Sequence, residues 1–340
     1  MNLTRRLPVY LLLDCSESMA GPGLAAVNAG VGHMVAELKS NPYALETAFL
    51  SVITFHREVR QLAPLTEVMK FQIPNLTVRA GSSLGGALKL LLKCLQTEVV
   101  RTSATAKGDY KPLVFLLTDG QPTDDWEAAA AALKKANNPK IANLYAIGCG
   151  PDVDYDMLRE VTDIVLKMND LTPEAFKRFF VWLSASINTA SLRLEGGTST
   201  SFDMPPLPRG VEIAPESTTY RTQDPRQVFL QAMCRKTRKA YLIRYALRAN
   251  DDRYEAIAAH EIDLYEKDGG DFMPSINSSR LEGIPDCPYC SNPGAAVCEC
   301  GVISCIGESD IKKPVKCPAC GLVGDYGTGG GSFDVRQSGG

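Results

Sequence analysis

The sequence predicts a doubly wound α/β domain with a mostly parallel sheet, followed by a small β-rich segment and a cysteine-rich module. Three observations carry that reading. Residues 1–190 alternate short apolar runs with segments of helical period, the pattern of a sheet covered on both faces. After Ser191 the pattern gives way to Gly196, Gly197, a Ser/Thr run and Pro205, Pro206 and Pro208, a linker composition. Seven of the eleven cysteines then crowd between Cys287 and Cys320, a distribution that suits metal rather than disulfides.

Taken in order, strands are expected at Val9–Asp14, Leu50–Phe55, Leu113–Thr118, Asn143–Gly148 and Asp163–Lys167, because each is a short apolar run rich in branched residues. Helices are expected at Ala26–Lys39, Leu84–Leu95, Asp125–Ala136, Asp154–Val161 and Pro173–Ala190. Thr123 ahead of an acidic turn and Thr172 before Pro173 and Glu174 are start signals for two of them. The α/β domain is thus placed at residues 1–192. Residues 193–280 read as a linker and a small β-rich segment, with β-leaning runs at Val228–Met233, Ala240–Ala246 and Tyr254–Ile262. Residues 281–325 form the cysteine-rich module, and the glycine-rich stretch 326–340 reads as a flexible tail.

A chain of 340 residues exceeds one domain of ordinary size. Its 45% hydrophobic and 22% charged residues are those of a globular protein, and a net charge of −3 gives no general attraction to nucleic acid or anionic membrane. Arg5 and Arg6 precede the apolar Leu7–Leu13, but Asp14 and Glu17 cut that run short of a signal peptide, and no stretch of about 18 apolar residues could span a bilayer. A cytoplasmic location is expected.

The first strand runs into Asp14-Cys15-Ser16-Glu17-Ser18, and a later one delivers Asp119 within Leu117-Thr118-Asp119-Gly120. Between them Gly81-Ser82-Ser83 opens a helix. All three loops lie where open α/β sheets bind ligands, outside the strands' carboxyl ends. Carboxylates and hydroxyls together suit a hard cation such as Mg²⁺, which takes oxygen ligands at about 2.0–2.1 Å. The alternative is that Ser16 and Ser18 merely cap a helix and Asp119 merely ends a strand.

Asp-x-Ser-x-Ser, a hydroxyl residue before Leu-Gly-x-Ala-Leu, and Leu-Thr-Asp-Gly-x-Pro-Thr-Asp together resemble the metal-ion-dependent adhesion site of von Willebrand factor A domains, over about residues 6–190. The resemblance implies that Asp14, Ser16, Ser18, Ser82 and Asp119 bind Mg²⁺, with Ser16, Ser18 and Ser82 direct and the aspartates direct or through water. The family usually has Thr where this chain has Ser82, but serine keeps the hydroxyl. Few charged ligands leave the ion an electrophile whose open position accepts a partner's carboxylate.

Near the other end, Cys287-Pro-Tyr-Cys290 and Cys317-Pro-Ala-Cys320 are paired turns whose 26-residue separation leaves room for a hairpin to bring them around one tetrahedral Zn²⁺. Cys298, Cys300 and Cys305 are further candidates, one sulfur short of a second all-cysteine site. Four thiolates leave no open position, so the role is structural. Cys15, Cys94, Cys149 and Cys234 read as buried thiols, and His33 and His56 as packing residues.

An A-type domain ending its motif in Leu-Thr-Asp-Gly-Gln-Pro-Thr-Asp-Asp-Trp, joined to this metal module, resembles bacterial TerY-like proteins. That resemblance implies a stress-response or tellurite-resistance setting linked to phosphorylation signalling, with a protein kinase and a metal-dependent Ser/Thr phosphatase as partners. The expected function is a non-enzymatic protein-binding adaptor. Two alternatives stand beside it. Arg235, Lys236, Arg238, Lys239, Arg244 and Arg248 form a local basic run that would suit a nucleic-acid-binding zinc protein. Gly81-Ser82-Ser83-Leu84-Gly85 matches a nucleophile elbow, which would make Ser83 a hydrolase nucleophile needing His260 as base.

Overall fold

The computed structural model describes residues 5–103, 107–119, 122–136, 141–150, 153–169, 171–195, 205–214, 227–248, 252–262, 275–307, 310, 313–325, 332–335 and 337. Two compact units make up the chain, one over residues 1–14, 22–76 and 83–219 and the other over residues 15–21, 77–82 and 220–340.

The first unit alternates strands and helices: β1 Leu7–Asp14, α1 Pro22–Ser40, α2 Pro42–Thr47, β2 Ala48–Phe55, β3 Val59–Glu67, α3 Leu84–Thr97, β4 Leu113–Thr118, α4 Glu127–Ala136, β5 Asn143–Cys149, α5 Tyr155–Val161, β6 Val165–Met168, α6 Pro173–Glu195 and β7 Val211–Ile213. The sheet order is β3-β2-β1-β4-β5-β6-β7. Strands β2, β1, β4, β5 and β6 are parallel, and only the two edge strands run antiparallel. All residues of β1 and β4 are buried, as expected for strands covered on both faces. Tyr10, Leu12, Ile53 and Phe55 face the layer of α3, α4 and α5 in one core. Helix α3 meets it with Leu84, Leu88, Leu91 and Leu95, a stripe at helical spacing.

Three elements went unread in the sequence. Strand β3 carries Pro64 and alternates weakly, which suits an edge position where a missing N–H costs nothing. Helix α2 has a single turn and a half, started by Asn41, whose side chain accepts from the amides of Tyr43 and Ala44. Strand β7 is three residues long.

Helices α1 and α6 pack closely at Gly30, where an added Cβ would lie 2.1 Å from Cδ2 of Phe180. Phe180 is fully buried and has no room to withdraw. Gly30→Ala is therefore expected to destabilise this unit by about 2–3 kcal/mol, the usual cost of overpacking. Chemical denaturation checks it through a lower midpoint at unchanged slope.

The second unit runs across residue 280. Strands β8 Gln227–Met233, β9 Ala240–Leu247 and β10 Tyr254–Glu261 join β12 Leu281–Glu282, β13 Gly294–Val297 and β14 Ile303–Ile306 in one sheet, ordered β12-β10-β9-β8-β14-β13. The β-rich segment and the cysteine module share that sheet and one core, in which Val228, Leu230, Tyr241 and Ile243 pack with Cys287, Ile303 and Cys305. Strands β15 Val315–Lys316 and β16 Val323–Gly324 form a separate small hairpin. The stretch expected as a flexible tail contains β17 Asp334–Val335, which pairs antiparallel with β11 Ile276–Asn277 and buries Val335. Residues 326–331, 336 and 338–340 of that expectation lie outside the described residues, as do 196–204 of the linker.

Candidate metal centres

Parallel pairing brings the carboxyl ends of β1, β2 and β4 to one edge of the first sheet. Leu13 pairs with Leu117 and Asp14 with Phe55, so Asp14 ends its strand beside the ends of both neighbours. Thr118, the last residue of β4, donates its hydroxyl proton to Asp14 Oδ2 at 2.6 Å. Asp119 follows, 7% exposed, while Asp14 is 1% exposed. Two carboxylates buried at adjacent strand ends repel each other, and a cation relieves that cost. Cys149 ends β5 on the same edge. Burial, then the charges of Asp119 and Asp14, push its thiol well above the usual range, so it stays protonated.

The hydroxyl donors come from two short loops. Ser16 and Ser18 follow Asp14 directly, with their Oγ atoms 2.9 Å apart, and Ser16 is buried at the start of the single 3-10 turn Glu17–Met19. Ser82 is buried and precedes Ser83, whose amide donates to the carbonyl of His56 just past β2. Gly81, in the left-handed region at φ +82°, donates its amide to Oε2 of the buried Glu17 at 2.8 Å. All the predicted donors are oxygens, the set a hard divalent cation prefers, so this group fits Mg²⁺ chemistry.

Asp124 holds the entrance of α3. Its carboxylate accepts the Ser83 hydroxyl at 2.7 Å and the amides of Gly85 and Gly86 at 3.0 and 2.9 Å. Gly85 allows that approach, because a Cβ there would lie 2.5 Å from the Asp125 carbonyl oxygen. The arrangement is a helix cap supplied from the loop after β4. It also accounts for Ser83: the hydroxyl serves Asp124, and Ser83 meets His56 through the backbone. The imidazole a hydrolase would need, that of His260, belongs to β10 in the other unit.

In the second unit the cysteines settle a question the sequence left open, whether they form one site or two, by falling into two groups. Cys234, Cys287, Cys290 and Cys305 form one group, and Cys298, Cys300, Cys317 and Cys320 another, with all sulfurs of a group within 4.8 Å of one another. The two Cys-x-x-Cys turns do not share an ion, because β14 pairs with β8 and so delivers Cys305 to the turn after β8, where Cys234 lies. Recorded separations are 3.6 Å for Cys290–Cys305, 3.6 Å for Cys298–Cys320 and 3.8 Å for Cys300–Cys317. Sulfurs about 2.3 Å from a tetrahedral Zn²⁺ stand about 3.8 Å apart, whereas a disulfide needs about 2.05 Å. Both groups fit Zn²⁺.

Cys234 is the ligand that sequence reasoning missed, and its turn explains why. In the Cys287 and Cys317 turns the fourth residue on, Ser291 or Gly321, adopts positive φ and donates its amide to the cysteine carbonyl, while the cysteine amide donates to the residue after it. The hairpin turn between β8 and β9 repeats this. Arg238 sits at φ +58°, its amide reaches the Cys234 carbonyl at 2.8 Å, and the Cys234 amide reaches Lys239 O at 2.8 Å. It is a third knuckle with Thr237 in the place of the second cysteine, so no Cys-x-x-Cys pattern marks it. The signal available was a cysteine in a tight turn between two β-leaning runs.

Without an ion, four thiols this close cannot ionise together. Burial opposes ionisation of Cys234, but hydrogen bonds from Thr237 take it down to about 7. In the other group, burial likewise opposes ionisation of Cys317, and the amides of Cys320 and Ala319 bring it to about 7. Metal binding supplies the missing positive charge and releases the remaining protons.

The basic run is largely engaged within this unit. Arg235 donates to the Lys316 carbonyl and Arg238 to the Pro318 carbonyl. Lys239 lies over the Tyr289 ring, Arg244 bonds Gln227 and lies over Phe229, and Arg248 pairs with Glu255 and Glu282. A divalent ion with four thiolates carries a net charge of about −2, which gives Arg235, Lys236 and Lys239 beside Cys234 a local purpose.

Comparison with known families matches residues 9–174 to the von Willebrand factor type A domain and residues 224–340 to the TerY-C metal binding domain. The chain has a TerY-like architecture. Its A-type domain is the α/β unit, and its TerY-C domain takes in both the β-rich segment and all eight clustered thiols. No match is found among curated protein sequences. Solved structures that match the chain include proximal thread matrix protein 1 from the mussel byssus with a zinc-occupied MIDAS motif, at 18% identity and TM-score 0.39, covering 54% of this chain and 48% of that one. The vWF domain of the type V pili tip protein Mfa5 from Porphyromonas gingivalis matches at 13% identity and TM-score 0.41, covering 58% and 98%. The ArnB paralog VWA2 from Sulfolobus acidocaldarius matches at 13% and 0.39, covering 76% and 66%. This chain thus spans about half the length of the mussel protein. Among the described residues no helix is long and apolar enough to cross a membrane.

Proposed function

We propose that this TerY-like chain is a non-enzymatic, cytoplasmic adaptor. Its A-type domain holds Mg²⁺ through Asp14, Ser16, Ser18, Ser82 and Asp119 and captures an acidic or phosphorylated group on a partner protein. Its TerY-C domain is a zinc-stabilised second surface. The observation that carries this reading is the burial of Asp14 and Asp119 at the neighbouring ends of β1 and β4, with Ser16 and Ser18 following Asp14 in the chain, in a protein that also carries a TerY-C domain. The protein would leave one coordination position of the ion to the partner, as a site with few charged ligands allows. A protein kinase and a metal-dependent Ser/Thr phosphatase, in a stress-response or tellurite-resistance setting, are the proposed partners. The engaged side chains of Arg235, Arg238, Arg244 and Arg248 weigh against the nucleic-acid reading, and the cap formed by Asp124 against the hydrolase.

The test is a pull-down from native extract with wild type and Asp14→Ala, each with Mg²⁺ and with chelator. A kinase or phosphatase retained only by wild type in Mg²⁺ is the expected result. Asp14→Ala also leaves the Thr118 hydroxyl without its acceptor, at about 1 kcal/mol, so the variant should still melt cooperatively. The same partners in every lane would refute Mg²⁺-dependent capture.

A further inference from the structure

The two four-thiol groups of the TerY-C domain are braced against each other by residues that ligate nothing. Cys234 of the first group opens the turn 234–239, and two arginines of that turn reach the second group's knuckle. Arg235 Nη2 donates to the Lys316 carbonyl at 3.2 Å and Arg238 Nη2 to the Pro318 carbonyl at 2.8 Å, the two carbonyls that flank Cys317. The Arg235 side chain is 12% exposed and its backbone amide points to Cys305 Sγ at 3.4 Å, so one residue touches both groups. Met233, next to Cys234, packs with Cys298, Val302 and Cys317.

A second connection is covalent. The hairpin β13–β14 carries Cys298 and Cys300 at its turn and Cys305 in its return strand, so the same hairpin feeds both groups. Ordering either set of thiols around an ion therefore orders part of the other. Arg238 holds a left-handed backbone conformation that a non-glycine residue adopts only when its surroundings impose it.

Resting on the zinc reading of both groups, we propose that Arg235 and Arg238 are positioning residues that couple the two sites, so that the TerY-C domain takes up its two ions cooperatively. The first ion fixes the turn 234–239 or the Cys317 knuckle, and the arginine struts present the other in its ligating geometry. In such a linkage each site raises the other's affinity by the same factor, here about tenfold.

The experiment titrates the reduced, metal-free full chain with Co²⁺ and follows thiolate-to-cobalt charge-transfer absorbance. Wild type should fill both sites in one steep step, with fully loaded and empty molecules dominating at one equivalent. Arg238→Ala should lose that steepness, with singly loaded molecules accumulating at one equivalent and the second ion bound about tenfold more weakly than in wild type. Arg238→Gly, whose backbone accepts positive φ without strain, should do the same while refolding as well as wild type, which separates loss of the strut from backbone damage. Cys320→Ser should weaken Co²⁺ binding at the Cys234 site about tenfold although it contributes no ligand there, and adding Arg238→Gly to it should change nothing more. Independent steps in wild type, or an Arg238→Gly titration that matches wild type, would overturn the coupling while leaving the sites intact. Absence of any charge-transfer band in wild type would overturn the metal reading itself.

Discussion

Cys234→Ser is expected to reduce the zinc content of the full-length protein from two ions per chain to one. A structural zinc site contributes about 10–16 kcal/mol of binding free energy at neutral pH, and most of that depends on a complete set of thiolates. Cys234 is fully buried, its turn caps the strand that β14 pairs with, and it stands among Cys287, Cys290 and Cys305. A serine there offers a harder, protonated oxygen, so the group loses its ion and the surrounding core of β8, β9 and β14 loses its anchor. The TerY-C domain should then unfold at markedly lower denaturant, while the A-type domain melts as before. Cys94→Ser and Cys149→Ser serve as comparisons, because both thiols are buried within the first unit; they should keep two ions. Elemental analysis after gel filtration gives the result directly, and two ions retained by Cys234→Ser would mean that another ligand completes the first site.

That prediction was out of reach of the sequence for an identifiable reason. Paired cysteines announce a knuckle through local spacing, and Cys287, Cys290, Cys317, Cys320, Cys298, Cys300 and Cys305 were all legible as candidates. Which thiols share an ion depends on the parallel pairing of β14 with β8, between residues some seventy apart, and no local pattern encodes such a pairing. The Cys234 turn has the same backbone as the other knuckles but keeps Thr237 and Arg238 where a second cysteine and a glycine would have revealed it.

The A-type domain was far more transparent. Strands buried on both faces read as continuous apolar runs, and β1, β2, β4, β5 and β6 all lie where such runs placed them. The pattern weakens at the edges, where β3 and β7 need cover only part of one face. For the first unit, the alternation of apolar runs with helical period was enough to put Asp14 and Asp119 at the carboxyl ends of strands. They could not reveal what fixes the Ser82 loop, because Asp124 acts through three hydrogen bonds across a separation of about forty residues.

Asp124→Ala should therefore injure the proposed Mg²⁺ site without removing one of its ligands. The carboxylate accepts the Ser83 hydroxyl and two amides of the first turn of α3, where the helix dipole favours negative charge. Hydrogen bonds to a charged group are worth about 1.5–3 kcal/mol each when buried, but Asp124 is only half-buried, so a total near 2 kcal/mol is expected for the stability of the first unit. The larger effect should fall on metal binding. With the cap gone, the Ser83 hydroxyl and the first amides of α3 lose their acceptor, so the Ser82–Ser83 turn loosens and must be ordered again when an ion binds. Fixing one residue costs about 1–2 kcal/mol, so Mg²⁺ affinity should fall about tenfold. Asp124→Asn keeps an oxygen for the amides or for the hydroxyl but not the charge, and should fall between wild type and Asp124→Ala. Mg²⁺-dependent thermal stabilisation of the three proteins would measure this. An Asp124→Ala protein that gains as much stability from Mg²⁺ as wild type would show that the Ser82 loop orders itself without the cap.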